Sequence, residues 1–412
     1  MPSGGLLMGG HAFPRGAGEA GDEAIAAFRA LILADAALHA PLGAIERPDD
    51  YVAATVALAA ANGIALPPAA ILDAMRPDPL AISRFLPCPV TLDHWPARGW
   101  LPARTVPTEG APSFDWLWFG EDTLDAPFFD DMIRRVASRP FNLMFRTRTS
   151  LAALVAGIDA ADGPAPSGFI HHMSRCGSTL VAQMLAADAS HVVLSEAEPL
   201  DGIVRWAMES AAPLHERVAA LRAIVAALGR DRSGGTRRVF FKLDSWHVMA
   251  LPLFRAAFPE TPWAYLYRDP TEVLVSQQRS RGLHTVAGML PTSLIDIPGA
   301  EGLDGDHYAS LVVQQMGEAV LQHWPLGGGL LVNYGEMPQA IVARLAPHCA
   351  FVPDARQRAA MAAVAQRDAK DPGRLFVADS LKKQEDASSY IRSLAHKLVD
   401  DVYSRLESLR TA

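Results

Sequence analysis

Between Phe169 and Leu185 the chain reads FIHHMSRCGSTLVAQML. β-compatible residues run into a turn through Ser174, Arg175, Cys176 and Gly177, and Leu180, Val181, Met184 and Leu185 then follow at helical spacing. A strand, a tight loop and a helix in that order can hold an anion. The first helical amides lack intrahelical partners, and the helix dipole places partial positive charge on them. Gly177 lets the backbone approach closely, Ser178 and Thr179 add hydroxyls, and Arg175 adds a fixed cation. A Walker A loop aligned on Gly177 would need Gly at 172 and Lys at 178; the residues there are His172 and Ser178, so the usual ATPase loop is absent. Cys176 sits where a helix terminus and Arg175 could make a thiol acidic, although a small residue that simply fits the turn is the commoner case.

Further polar groups fall at the ends of predicted strands. His191 to Leu194 leads into Ser195, Glu196 and Glu198; a buried strand from Val239 to His247 carries Lys242 and ends in polar residues; Thr261 to Tyr267 runs into Arg268. In an open parallel sheet, ligands bind beyond the carboxyl ends of the strands. The predicted fold is therefore α/β, a P-loop-type parallel β-sheet flanked by helices, preceded by a mainly helical N-terminal extension.

The extension spans 1–75, with one helix from Glu19 to about Ala40 and a hairpin that breaks at Asn62-Gly63 and restarts at Pro67-Pro68. An aromatic-rich lead-in, 76–165, contains FDWLWF at Phe114 to Phe119, which reads as core or as an aromatic platform. The Gly- and Pro-rich stretch from Gly163 to Gly168 marks the start of the catalytic domain, 166–412.

A formal charge of −8 argues against a broad nucleic-acid-binding face. Three scattered cysteines, Cys88, Cys176 and Cys349, suit neither a disulfide framework nor a zinc ribbon and fit a reducing cytoplasm. No signal peptide or membrane span is expected, because the apolar run from Ala53 to Leu66 is short and interrupted.

The loop Ser174-Arg175-Cys176-Gly177-Ser178-Thr179 resembles the 5′-phosphosulfate loop of sulfotransferases, P-R-S-G-T-T, departing at Ser174 and Cys176. A second segment, Arg268 to Ser276, resembles that family's R-N-P-x-D-V-x-V-S element, and Val332-Asn333-Tyr334-Gly335-Glu336-Met337 resembles its late V-x-Y-E-D-L strand. The resemblance covers about 169 to 340. It implies a donor, 3′-phosphoadenosine 5′-phosphosulfate, whose 3′-phosphate meets Arg268 and Ser276, a strand end and a helical turn that can converge on one phosphate. It further implies sulfuryl transfer to a hydroxyl or amine of a small-molecule or peptide acceptor, with no metal. Arg175 and Lys242 would stabilise developing charge, and the base would be Glu198, Glu196 or His247, with Glu198 preferred. The family's late R-K-G is missing, which leaves Lys382 and Lys383 as candidate donor-covering cations. Two other classes remain open from the residues alone: a nucleotide-dependent kinase or phosphotransferase, and a non-catalytic nucleotide- or peptide-binding scaffold.

Overall fold

A computed structural model of the 412-residue chain describes residues 19–76, 90–371 and 373–412; the Gly-rich start and the proline-broken stretch from 77 to 89 lie outside the described residues. The chain divides into two compact units, one made of residues 1–90 and 136–146, the other of 91–135 and 147–412.

In the first unit the predicted helix runs Glu19–Ala34 and stops at Asp35, whose carboxylate accepts the Ala37 N–H at 3.0 Å and so starts a short 3-10 turn. Ile25, Phe28 and Ile32 form its buried stripe. Phe28 packs on Phe145, and Phe145 on Phe141, with ring centroids 6.1 and 4.7 Å apart. The hairpin is as expected: helix Pro48–Ala61 opens with proline in its first turn and ends where Gly63 adopts φ +74°, and Pro68–Ala74 follows.

The second unit holds two sheets. The smaller has strands β1 (Val90–Leu92), β2 (Trp100–Val106), β3 (Ser113–Trp118) and β4 (Thr147–Ser150) in the order β1-β4-β3-β2. The FDWLWF run forms most of β3, and its aromatic rings are buried. Buried Asp115 is held by Arg104 and Arg148, both at 2.6 Å, so its charge is matched.

The larger sheet comprises β5 (Pro166–His172), β6 (His191–Ser195), β7 (Arg238–Lys242), β8 (Trp263–Tyr267) and β9 (Gly329–Asn333), all parallel, in the order β6-β7-β5-β8-β9. From β5 the chain crosses to β6 at one edge, returns through β7, and then goes to β8 and β9 on the other side. The loop after β5 thus lies at the point where the strand order reverses, where such sheets bind ligands. Helices Ser178–Ala186, Glu198–Glu209 and Pro270–Arg279 follow β5, β6 and β8 directly.

One strand is shorter than its sequence suggests. The last ladder bonds of β7 are Glu196 N–H to the Lys242 carbonyl, 2.8 Å, and Leu243 N–H to the Ile170 carbonyl, 3.0 Å. Beyond them the chain turns into a 3-10 helix, Ser245–Ala250, so Trp246 and His247 lie on a helical turn and not on a strand.

Candidate active site

The loop after β5 is built from backbone strain. Ser174 and Arg175 have φ of 67° and 55°, and Gly177 has 83°. His172 secures the first bend: its Nδ1 accepts the Ser174 N–H at 3.0 Å, so its Nε2 carries the proton and donates to the Leu243 carbonyl at 2.9 Å. Gln277 Nε2 donates to Ser174 Oγ at 3.2 Å, and Arg175 donates to the Ser280 carbonyl. Gly177 is needed twice over, because a Cβ there would stand 2.9 Å from the Tyr334 ring. The Cys176 thiol points inward and donates to the Leu266 carbonyl at 3.2 Å; burial pushes it up to about 12, so it is a packing group and not a reactive thiolate. What Cys176 offers a ligand is its backbone, in line with Gly177, Ser178 and Thr179 at the helix start.

On the β8 and β9 side of this loop stands Arg268, whose side chain is buried. Its Nε donates to Glu272 Oε2 at 2.5 Å, and its Nη2 to Asp379 Oδ1 at 2.7 Å and Ser380 Oγ at 3.1 Å, while the Tyr334 ring covers the guanidinium at 3.9 Å. Ser276, two turns into the helix, donates to the Glu272 carbonyl at 2.9 Å. Of the two late lysines singled out in the sequence, Lys383 lines this cavity, paired with Asp379 at 2.7 Å; Arg367 and Lys370 line it as well. Lys382 is exposed and is not among the cavity walls, because one residue along a helix turns the side chain by roughly 100°.

On the β6 and β7 side the groups are acidic. Glu196, at φ 52°, pairs with Lys242 and lies 3.5 Å from His172 Nε2. Burial works against its charge, but Lys242 and His172 outweigh it and hold the carboxyl well below the usual range. Lys242 is itself buried, sits behind the cavity wall and lies 5.1 Å above the Phe128 ring. Glu198 opens into the cavity and accepts the Thr105 N–H at 2.6 Å; surrounding protein pushes its carboxyl up to about 7, with the Asp201 charge adding to the effect. Asp244 is also pushed up to about 7, by burial.

His247 differs from the sequence expectation. It is buried, is not among the cavity walls, and gives its Nε2 to Asp201 at 3.0 Å, while Arg205 Nε takes the other Asp201 oxygen at 2.7 Å. Asp201, Asp244 and His247 bring one ligand atom each within 4.8 Å of one another, but a metal there would have to displace the Arg205 and His247 contacts to Asp201.

Both sides and the loop line one cavity of about 810 Å³, which suits a nucleotide with a small acceptor group. Its walls take in Ser174, Arg175, Gly177, Ser178, Thr179, Glu198, Arg268 and Ser276. Residues 282–284, Met289, Leu290 and Trp246 also line it, along with Asp244, Tyr334 and Asp379, to which the sequence had assigned no role. Asp244 was within reach of the strand-end rule, since it follows β7 by two residues; Asp379 had no local signal at all.

No protein-family description matches the chain, and no curated protein sequence does. Among solved structures, a sulfotransferase from Mycobacterium avium is 14% identical with a TM-score of 0.38, over 59% of this chain and 78% of that one. The sulfotransferase domain from the curacin biosynthetic pathway is 17% identical with a TM-score of 0.37, over 57% of this chain and 98% of the domain. The sulfotransferase domain from the Synechococcus PCC 7002 olefin synthase is 15% identical with a TM-score of 0.35, over 60% of this chain and 95% of the domain.

Proposed function

We propose that this protein transfers a sulfuryl group from 3′-phosphoadenosine 5′-phosphosulfate to a hydroxyl or amine of a small-molecule or peptide acceptor. One observation carries the reading: a single cavity holds an amide-lined loop at the sheet's reversal point, a buried arginine beyond one flank and the Glu198 carboxyl, held by the Thr105 N–H, beyond the other. Adjacent strands lie roughly 4.8 Å apart, so β8 and β7 bracket the loop closely enough for one nucleotide and one acceptor to meet there.

In this reading the amides of Cys176 to Thr179 and the Arg175 guanidinium receive the 5′-phosphosulfate, and Arg268 and Ser276 receive the 3′-phosphate. Glu198 takes the acceptor proton as the acceptor oxygen or nitrogen bonds to sulfur. The bond from sulfur to the 5′-phosphate oxygen breaks, and the nucleotide leaves as the bisphosphate. Charge grows on that leaving oxygen, next to amides that are already oriented and need no reorganisation. Lys242 acts from behind the wall by keeping Glu196 ionised and in place. A carboxyl at about 7 is matched to proton transfer near neutrality, which favours Glu198 over Glu196, whose charge is tied up, and over His247, which is buried. No step draws on a metal ion.

Calorimetric titration with 3′-phosphoadenosine 5′-phosphate, against ATP with magnesium, tests the donor assignment. The expected result is preference for the bisphosphate, weakened in Arg268→Ala; preference for ATP would make the chain a phosphotransferase candidate instead.

A further inference from the structure

The cation assigned above to the donor's 3′-phosphate already has an anion of its own. Glu272 lies four residues on, in the first turn of the helix that follows Arg268, and braces the Arg268 Nε. The other contact has a different origin: Asp379 and Ser380 reach the Arg268 Nη2 from 111 and 112 residues away. The second oxygen of Asp379 meets Lys383 at 2.7 Å, so one carboxylate bridges two cations that both line the cavity. A phosphate oxygen would make the same contact to Arg268, with more charge.

We propose that Asp379 is an internal stand-in for the donor's phosphate, and that the arm 373–386 closes the Arg268 seat until the nucleotide displaces it. The inference rests on the donor reading above. Exchange of Asp379 for a phosphate would free Arg268 from the arm, which carries Asp379 and Lys383 away together, and would leave Glu272 to hold the arginine in place. The arm is suited to release. Leu375, Val377 and Leu381 are 68, 78 and 82% exposed, so little apolar surface anchors it. Its hold on the neighbouring helix is polar: Gln384 Nε2 to Asp269 Oδ1 at 2.9 Å, and the Arg279–Asp386 pair. Surface ion pairs of this kind contribute little and exchange readily. Phe376, on the same arm, lines the cavity and would move with it.

A closed arm lowers apparent donor affinity by the fraction of molecules that are open. The test is titration of the full-length protein with 3′-phosphoadenosine 5′-phosphate in wild type, Asp379→Asn and Arg268→Ala, together with amide hydrogen exchange over residues 380–386. Asp379→Asn keeps the shape of the side chain and removes its charge; about tenfold tighter binding is expected, on the order of one open molecule in ten. Nucleotide should speed exchange over 380–386 in the wild type, and ligand-free Asp379→Asn should already exchange faster there. If wild type binds and Arg268→Ala weakens binding, but Asp379→Asn binds no tighter, the gate is overturned and the donor site stands. Exchange over 380–386 that slows on binding overturns the gate in the same way, and does so without any variant. If neither wild type nor Asp379→Asn binds the bisphosphate, the donor reading fails and the gate with it.

Discussion

The two flanks of the β5 loop differ in kind. Toward β8 and β9 the polar groups are cations matched by carboxylates of the chain itself, Arg268 by Glu272 and Asp379, and Lys383 by Asp379. Toward β6 and β7 sit two carboxyls, Glu198 and Asp244, that the surrounding protein pushes up to about 7. Arg268 and Asp379 on the first flank are held toward their charged forms, whereas Glu198 and Asp244 on the second are shifted toward the neutral form. In the proposed function this contrast would separate holding an anion from moving a proton, with each task at the ends of different strands.

The largest expected effect tests whether the acidic flank does chemistry and nothing else. Glu198→Gln should lower turnover by about 10²- to 10⁴-fold, the usual range for a lost general base, while bisphosphate affinity stays within twofold. In the wild type, turnover should rise as pH passes about 7, while nucleotide affinity stays flat. A parallel loss of affinity and turnover would merge the two flanks into one binding site.

Next comes Arg268→Ala, which should weaken the bisphosphate by about 10- to 100-fold, the range for losing a charge-assisted contact, with the pH profile of turnover unchanged. Gly177→Ala probes the loop between the flanks. Its positive φ and the 2.9 Å approach to Tyr334 predict a loss of about fivefold to thirtyfold in nucleotide affinity, from roughly 1–2 kcal/mol of strain. Thermal melting would separate that effect from unfolding.

The smallest effect concerns stability. A carboxyl whose pKa is higher folded than unfolded binds more protons in the native state, so its contribution is present at acid pH and is lost as pH rises through about 7. Glu198→Gln should therefore melt at a temperature that depends less on pH between 5 and 8 than the wild type does. An identical slope would mean that the carboxyl is not perturbed by its surroundings.

Legibility followed sequence distance. The β5 loop could be read because strand, turn and helix are contiguous and each announces itself by residue type. The Arg268 to Ser276 segment could be read for the same reason, with Asp269 capping the helix by accepting the Glu272 N–H. The helical hairpin of the first unit was equally plain from Pro48, Asn62-Gly63 and Pro68. His247 was misplaced because VFFKLDSWH has no glycine or proline to mark the end of β7. That end is set by where the neighbouring strands cease to offer hydrogen bonds, which no local pattern records. Lys382 and Lys383 were indistinguishable as letters, and only the facing of one helical turn separates them.

By itself the sequence determined the parallel α/β architecture, the amide-rich loop and the list of ionisable groups beside it, since all of these depend on residue type and short-range spacing. Only the tertiary structure decided which groups keep their charge and which share it. Glu198 owes its raised carboxyl to packing and to the Asp201 charge, and it accepts a hydrogen bond from Thr105, 93 residues away. Arg268 owes its occupied state to Asp379, 111 residues away. The strength of a charge depends on what is packed against it, and that is settled by the folded chain and not by its neighbours in sequence.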